Sequence, residues 1–158
     1  MLEVGVNSYI TIDGANDIVK KHLDKYNGLR SFWEILEDEE KEMYLIRAVE
    51  EMETVSFVGR KYRPTQALQF PRAPFEEVPY EIKLAQVYNA LGCLNNDIKD
   101  LASETNKLYA RYGVYIGENT DKNGAISNDA HNSRHIVLSS TKATKIAKKY
   151  ARGAFRMR

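Results

Sequence analysis

Residues 79–101 read Pro79-Tyr80-Glu81-Ile82-Lys83-Leu84-Ala85-Gln86-Val87-Tyr88-Asn89-Ala90-Leu91-Gly92-Cys93-Leu94-Asn95-Asn96-Asp97-Ile98-Lys99-Asp100-Leu101. Leu84, Val87, Leu91, Leu94, Ile98 and Leu101 step by 3, 4, 3, 4 and 3, the spacing of an apolar seam down one side of a helix. Three heptads are few for a coiled coil, so the pattern predicts a bundle helix that packs on another helix. Pro79 stands at or just before N1, where a helix can begin. Gly92, beside the seam, would let a neighbour approach closely. Cys93 has no base or metal partner in the pattern and reads as a core or surface thiol. As the only cysteine, it excludes an internal disulfide and suits a reducing compartment.

Upstream, Leu45, Ala48, Val49, Met52 and Val55 mark the buried stripe of an earlier helix, with Asp38 as its expected cap and acids in a first turn that faces the positive dipole end. Residues 34–53 hold nine acids against Lys41 and Arg47. That acidic side is either a solvated helix face or a face for a basic neighbour. Before it, Phe32, Trp33 and Leu36 form an apolar knot of about one turn. The first helix carries Ala15, Ile18, Val19, His22, Leu23 and Tyr26, is capped by Thr11 or Asp13 and stops at Asn27-Gly28. His22 on this face reads as a packed or surface histidine. Met1 to Ile12 is an extended lead.

Between the two long helices lies Gly59-Arg60-Lys61-Tyr62-Arg63-Pro64-Thr65-Gln66-Ala67-Leu68-Gln69-Phe70-Pro71-Arg72. Pro64 and Pro71 fix two φ angles and push Arg63 and Phe70 toward extended geometry. Tyr62, Leu68 and Phe70 are apolar anchors, and no acid answers Arg60, Lys61, Arg63 and Arg72. Such a constrained cationic loop reads as a built surface for a partner.

From Lys107 the period falls to two: Leu108, Ala110, Tyr112, Val114 and Ile116 alternate with Lys107, Tyr109, Arg111, Gly113 and Tyr115, which predicts a strand. Residues 117–133 are polar, and Ile136-Val137-Leu138 is a second short strand. A ribbon of two strands is marginal alone, so it is expected to pair with a neighbouring subunit. Ser140 or Thr141 caps a last helix with Ala143, Ile146, Ala147 and Tyr150 on one side. Residues 140–158 hold seven bases, Lys142, Lys145, Lys148, Lys149, Arg152, Arg156 and Arg158, and no acid. Tyr150 and Phe155 are interleaved with them. This tail is a disordered end, a contact for nucleic acid phosphates, or a contact for an acidic protein surface.

The 158 residues, 43% of them hydrophobic, make one domain or one domain with an arm. A net charge of +1 gives no global field toward nucleic acid or membrane. No apolar run approaches a membrane span, and the first residues lack a signal pattern. A phosphate-cradling glycine loop and a dinucleotide fingerprint are missing. His131 and His135 with Asp129 nearby have no third ligand for a metal. The carboxylates fall at helix-surface spacing, not in an apolar setting that would raise a pKa. The expectation is a protein without catalytic residues, metal or cofactor.

Gly59-Arg60, Gln66-Ala67-Leu68, Phe70-Pro71-Arg72 and the helix opening at Pro79-Tyr80-Glu81-Ile82-Lys83-Leu84-Ala85 resemble a family of small tailed-phage and prophage proteins. Tyr9-Ile10-Thr11, Trp33 with Leu36, and Glu40-Lys41-Glu42 leading into Leu45-Ile46-Arg47-Ala48 fit the same pattern. The likeness covers about residues 1–105. Its members look like head-tail adaptors, or connectors, and some carry a DnaT-like single-stranded-DNA-binding label. The resemblance implies a mainly α fold: a small bundle of three core helices in residues 1–105, with a long Pro/Arg-rich loop. Residues 106–158 then add a short β-ribbon and a basic C-terminal arm. It also implies a ring, twelve-fold on a portal, that joins portal to neck or tail-terminator protein around a DNA channel in a virion neck. Assembly would take place in the bacterial host cytoplasm, without membrane contact. Positions matching the family are Trp33, Arg60, Gln66, Leu68, Phe70, Pro71 and Arg72. Arg63, Lys145, Lys148, Lys149, Arg152, Phe155 and Arg156 complete the expected interface or structural positions, with Trp33, Leu91 and Phe70 expected in the core and residues 140–158 in assembly. The alternative is a single-stranded-DNA-binding module, with Tyr62, Phe70 and the loop arginines, or Tyr150 and Phe155, as platform and cations.

Overall fold

The structure, a computed structural model, describes residues 1–111 and 138–151. Among these the fold is mainly helical: α1 (Ile12–His22), α2 (Gly28–Ile35), α3 (Asp38–Glu53), α4 (Tyr80–Arg111) and α5 (Thr141–Tyr150). Thr11 caps α1, its Oγ1 accepting from the Gly14 N–H at 3.1 Å. Asn27 caps α2 by accepting from the Leu29 N–H at 3.0 Å. Helix α1 ends at His22 with Leu23 as its C-cap, short of the expected stop at Asn27-Gly28, and leaves Tyr26 exposed. Asn27-Gly28 start the second helix instead, and the expected single turn around Trp33 is a helix of eight residues. At α3 the cap is Glu37 rather than Asp38, in a reciprocal box with Glu40. A longer acid satisfies the same orphan N–H groups.

Helix α4 is the axis of the molecule, about 48 Å long at 1.5 Å per residue over its 32 residues. Apolar clusters lie on both sides of it. One joins Ile82 and Ala85 to Tyr9, Val49, Met52, Val55, Phe57, Leu68 and Phe70. The other joins Val87, Ala90, Leu91 and Leu94 to Ile18, Trp33, Tyr44 and Leu45. The seam read from the sequence faces the second cluster. Burying each large side chain contributes about 1.5–3 kcal/mol, and Trp33, Leu45, Met52 and Ile82 are buried almost completely.

Two polar residues of α4 are buried with the apolar ones. Gln86 donates to the Ser8 Oγ at 2.8 Å and to the Leu45 carbonyl at 3.0 Å, and accepts from the Tyr9 N–H at 2.9 Å. It thereby ties the N-terminal lead to α3. Asn89 donates to the Ala48 carbonyl at 3.2 Å and accepts from the Ser140 N–H at 3.1 Å. Buried amides satisfied on both ends specify one arrangement of the elements they join.

Beyond Ile98 the core ends: Leu101 is 66% exposed, and residues 99–104 all face water. The strand expected from Lys107 does not begin there, because α4 continues to Arg111. Adding a residue to an existing helix costs little beside nucleation, so a short two-residue alternation is overridden. The rest of the expected β-ribbon lies outside the described residues.

The expected last helix is present as α5, capped by Ser140, whose hydroxyl accepts from the Ala143 N–H at 3.4 Å, and it packs on the body rather than standing off as an arm. Ala143, Ala147, Ala151 and Leu138 are buried in the first cluster, with Ile146 and Tyr150 packed on it. Small residues at i, i+4 and i+8 let α5 lie close against the body. Gly92 makes the approach possible: a Cβ there would stand 2.6 Å from the Ser139 carbonyl carbon. The close neighbour predicted for Gly92 is therefore the backbone that leads into α5.

Candidate functional site

The loop between α3 and α4 is held from within. Lys61 and Arg72 form a backbone bridge. The Tyr62 N–H donates to the Pro71 carbonyl at 3.1 Å, and the Ala73 N–H to the Arg60 carbonyl at 2.9 Å. Gln66 spans the two limbs: its amide donates to the Leu68 and Pro71 carbonyls at 2.8 and 2.9 Å, and its oxygen accepts from the Arg63 N–H at 2.9 Å. Gly59 has φ +91° and lies so close to Ala73 that no Cβ would fit. The Phe70–Pro71 and Ala73–Pro74 bonds are cis.

Trp33 and Phe70 are in the core as expected, and Leu68 and Arg72 are built into the body with them. Arg72 is buried, and its guanidinium donates to the Val58 carbonyl at 3.1 Å, the Phe57 carbonyl at 3.2 Å, the Gly59 carbonyl and Gln69 Oε1 at 2.9 Å. Phe70 is 3% exposed and meets Phe57, Tyr150 and Tyr9 edge-on at 5.0, 5.8 and 6.1 Å. Leu68 is buried beside it, and Pro71 is half-buried. Trp33 is buried among α1, α3 and α4, its Nε1–H donating to Asn16 Oδ1 at 2.9 Å. None of these side chains can stack on a base.

The residues that do face water are Arg60 and Arg63 in the loop and Lys142, Lys145, Lys148 and Lys149 on α5. The fold sets the C-terminal end of α5 against the loop and its flanks. The Val58 N–H donates to the Tyr150 carbonyl at 2.7 Å, Phe57 bridges to Ala151, and the Phe75 ring meets Tyr150 edge-on at 5.9 Å. Phe75 at that meeting point and Tyr62 in the loop, 42% and 50% exposed, are accessible rings. Lys149 pairs with Glu81 at 3.4 Å. The Tyr150 hydroxyl donates to the same carboxylate, which holds Glu81 below its usual range. Burial and that bond push the phenol up to about 12. Arg152, Phe155 and Arg156 lie outside the described residues, as do His131 and His135.

Two carboxylates of the acidic stretch, Glu51 and Glu53, are structural. Glu51 accepts from the Ser139 N–H at 3.0 Å and the Ser139 hydroxyl at 2.7 Å, and from Asn89 at 2.9 Å. Burial alone would raise its pKa, but these donors outweigh it and the net shift is downward. Glu53 accepts from the Gln69 N–H at 3.0 Å and from the Tyr9 hydroxyl, joining lead, α3 and loop. A signal was available for the buried amides: Gln86 and Asn89 fall in register with Ile82 and Cys93, at steps of 4, 3 and 4. For Glu51 and Glu53 the partners come from distant parts of the chain, and no local signal exists. Among the described residues no group of His, Cys, Asp or Glu could hold a metal ion, and no helix is long and apolar enough to cross a membrane.

The fold and this surface define a small α-helical domain with a composite basic end. A family model described as "Putative DnaT-like ssDNA binding protein" matches residues 2–114, and the chain belongs to that family. The match includes the loop and stops before α5. No curated protein and no solved structure matches the chain.

Proposed function

We propose that the protein binds single-stranded DNA through the end where the loop and α5 meet. The observation that carries this reading is the convergence of two acid-free basic segments, joined at Val58 and Tyr150, with Phe75 open against Tyr150 and Tyr62 open in the loop. Single-strand sites combine a cationic track with aromatic faces, and the family description agrees with that chemistry. Arg60, Arg63, Lys145 and Lys148 would meet phosphates, while Tyr62 and Phe75 would stack on bases. No catalytic step, metal or cofactor is needed. The test is titration of labelled oligothymidine over a range of salt. Binding should weaken with a log–log slope near −0.7 per phosphate neutralised, and Arg60→Ala/Arg63→Ala should flatten it. Binding that ignores salt, or is unchanged in that variant, overturns the reading.

A second reading is favoured by the projecting end of α4, where Leu101 stands 66% exposed beyond the core. In it the chain is a head-tail adaptor, as the sequence resemblance implies: a ring subunit between portal and neck or tail-terminator protein, lining a DNA channel. The exposed end of α4 would then lie against the next subunit. Size measurement and electron microscopy of the purified protein, alone and with a portal, test it. A closed ring supports the adaptor, and a monomer that stays monomeric with the portal rules it out.

A further inference from the structure

The outer side of α3, opposite its buried stripe, carries a groove lined by Met1, Glu39, Met43, Ile46 and Glu50, with Glu42 and Arg47 at its edges. Met1 is fully exposed and Met43 is 51% exposed, so apolar surface stands open to water. The edge charges are already engaged: Arg47 with Asp97 at 2.9 Å, and Glu42 with the Met1 amino group at 3.3 Å. Among the described residues no cation pairs with Glu39 or Glu50, and both are exposed.

We propose that this groove receives residues 152–158 of a second copy of the chain. The segment reads Arg152-Gly153-Ala154-Phe155-Arg156-Met157-Arg158. Phe155 and Met157 supply apolar side chains for Met43 and Ile46, and the three arginines answer Glu39 and Glu50. Complementary charge of this kind selects partner and register more than it adds affinity. The inference goes beyond DNA contact and supplies the assembly reading with a subunit contact. One such contact is far smaller than the roughly 1,000 Å² of a stable interface, and it gains strength by repetition around a closed assembly.

The test is sedimentation velocity of the full-length chain at low and high salt, with charge reversals in groove and tail. Concentration-dependent association should appear at low salt. It should weaken about tenfold in Glu39→Lys/Glu50→Lys and again in Arg156→Glu/Arg158→Glu, and combining all four changes should restore it, as coupled partners do. A synthetic peptide of residues 152–158 should dissociate the wild-type species. Association unchanged by the reversals, or not restored by their combination, overturns the proposal. So does a strict monomer in which crosslinking joins the tail to its own α3. Oligothymidine binding, read on the Glu39→Lys/Glu50→Lys chain, should stay intact, which separates failure here from failure of the DNA reading.

Discussion

The loop at 59–72 and helix α5 are the two acid-free basic stretches of the chain, and the fold uses them in opposite ways. In the loop, Arg72, Phe70 and Leu68 turn inward while Arg60, Arg63 and Tyr62 remain outside. On α5 the lysines stay in water and small alanines face the body. The difference follows from what each stretch offers the core. The loop has long side chains whose guanidinium and amide groups gather the carbonyls of a backbone that no sheet or helix satisfies. In α5 the backbone satisfies itself, so its cations are left over. Charge in a sequence therefore does not by itself mark a surface for a partner. Irregular backbone consumes cations, and regular backbone displays them.

The largest expected effect breaks the inward half of this contrast. Phe70→Ala removes the ring between Tyr9, Phe57 and Tyr150 and should cost about 3–5 kcal/mol, read as a lowered denaturant midpoint. Arg72→Met keeps much of the volume but strands several carbonyls, at about 1–3 kcal/mol for each buried group left unsatisfied. Gly92→Ala acts on the outward half. Its methyl group would collide with the Ser139–Ser140 backbone, and such overpacking costs about 1–3 kcal/mol. Faster amide exchange in α5 than in α3 would show that the loss sits at that contact.

Acid should loosen the same place. The Glu51 pKa is lowered in the folded protein, so its contribution is present above the ordinary carboxylate range and is lost as pH falls through the folded value. Wild type should lose stability below about pH 4.5, and Glu51→Gln should flatten that limb of the curve. At the other extreme the Tyr150 phenol, pushed up to about 12, contributes stability present below its ordinary pKa near 10 and lost as pH rises toward the folded value. The smallest effect on stability is expected for Lys145→Ala/Lys148→Ala, within about 0.5 kcal/mol. The same change should weaken oligothymidine binding severalfold, and intact affinity in that variant would move the contact to the loop alone.

Where the sequence could be read, the signal was local and periodic. The α3 stripe, the α4 seam, the Thr11 cap and the tolerance of Gly92 for a close neighbour all rest on residues a turn or two apart. Arg72, Glu51 and Glu53 were not legible, because, the Arg72 bond to Gln69 apart, their partners lie 13 or more residues away and are chosen by the tertiary fold. Lys107–Arg111 failed for another reason: five residues of alternating pattern cannot outweigh a helix already running into them. As for the candidate site, its cations were legible as charge, but which of them reach water was not.

The seat of α5 has a consequence for how the molecule is made. Ala143, Ala147 and Ala151 close over Phe57, Ile82 and Ala85, yet they leave the ribosome after every other described part of the domain. At ordinary synthesis rates the earlier helices are complete some seconds before that lid arrives, and in the interval the nascent domain shows an open apolar floor. Truncated products that end before Leu138 should accordingly be the aggregation-prone and chaperone-bound species, whereas full-length chains should escape.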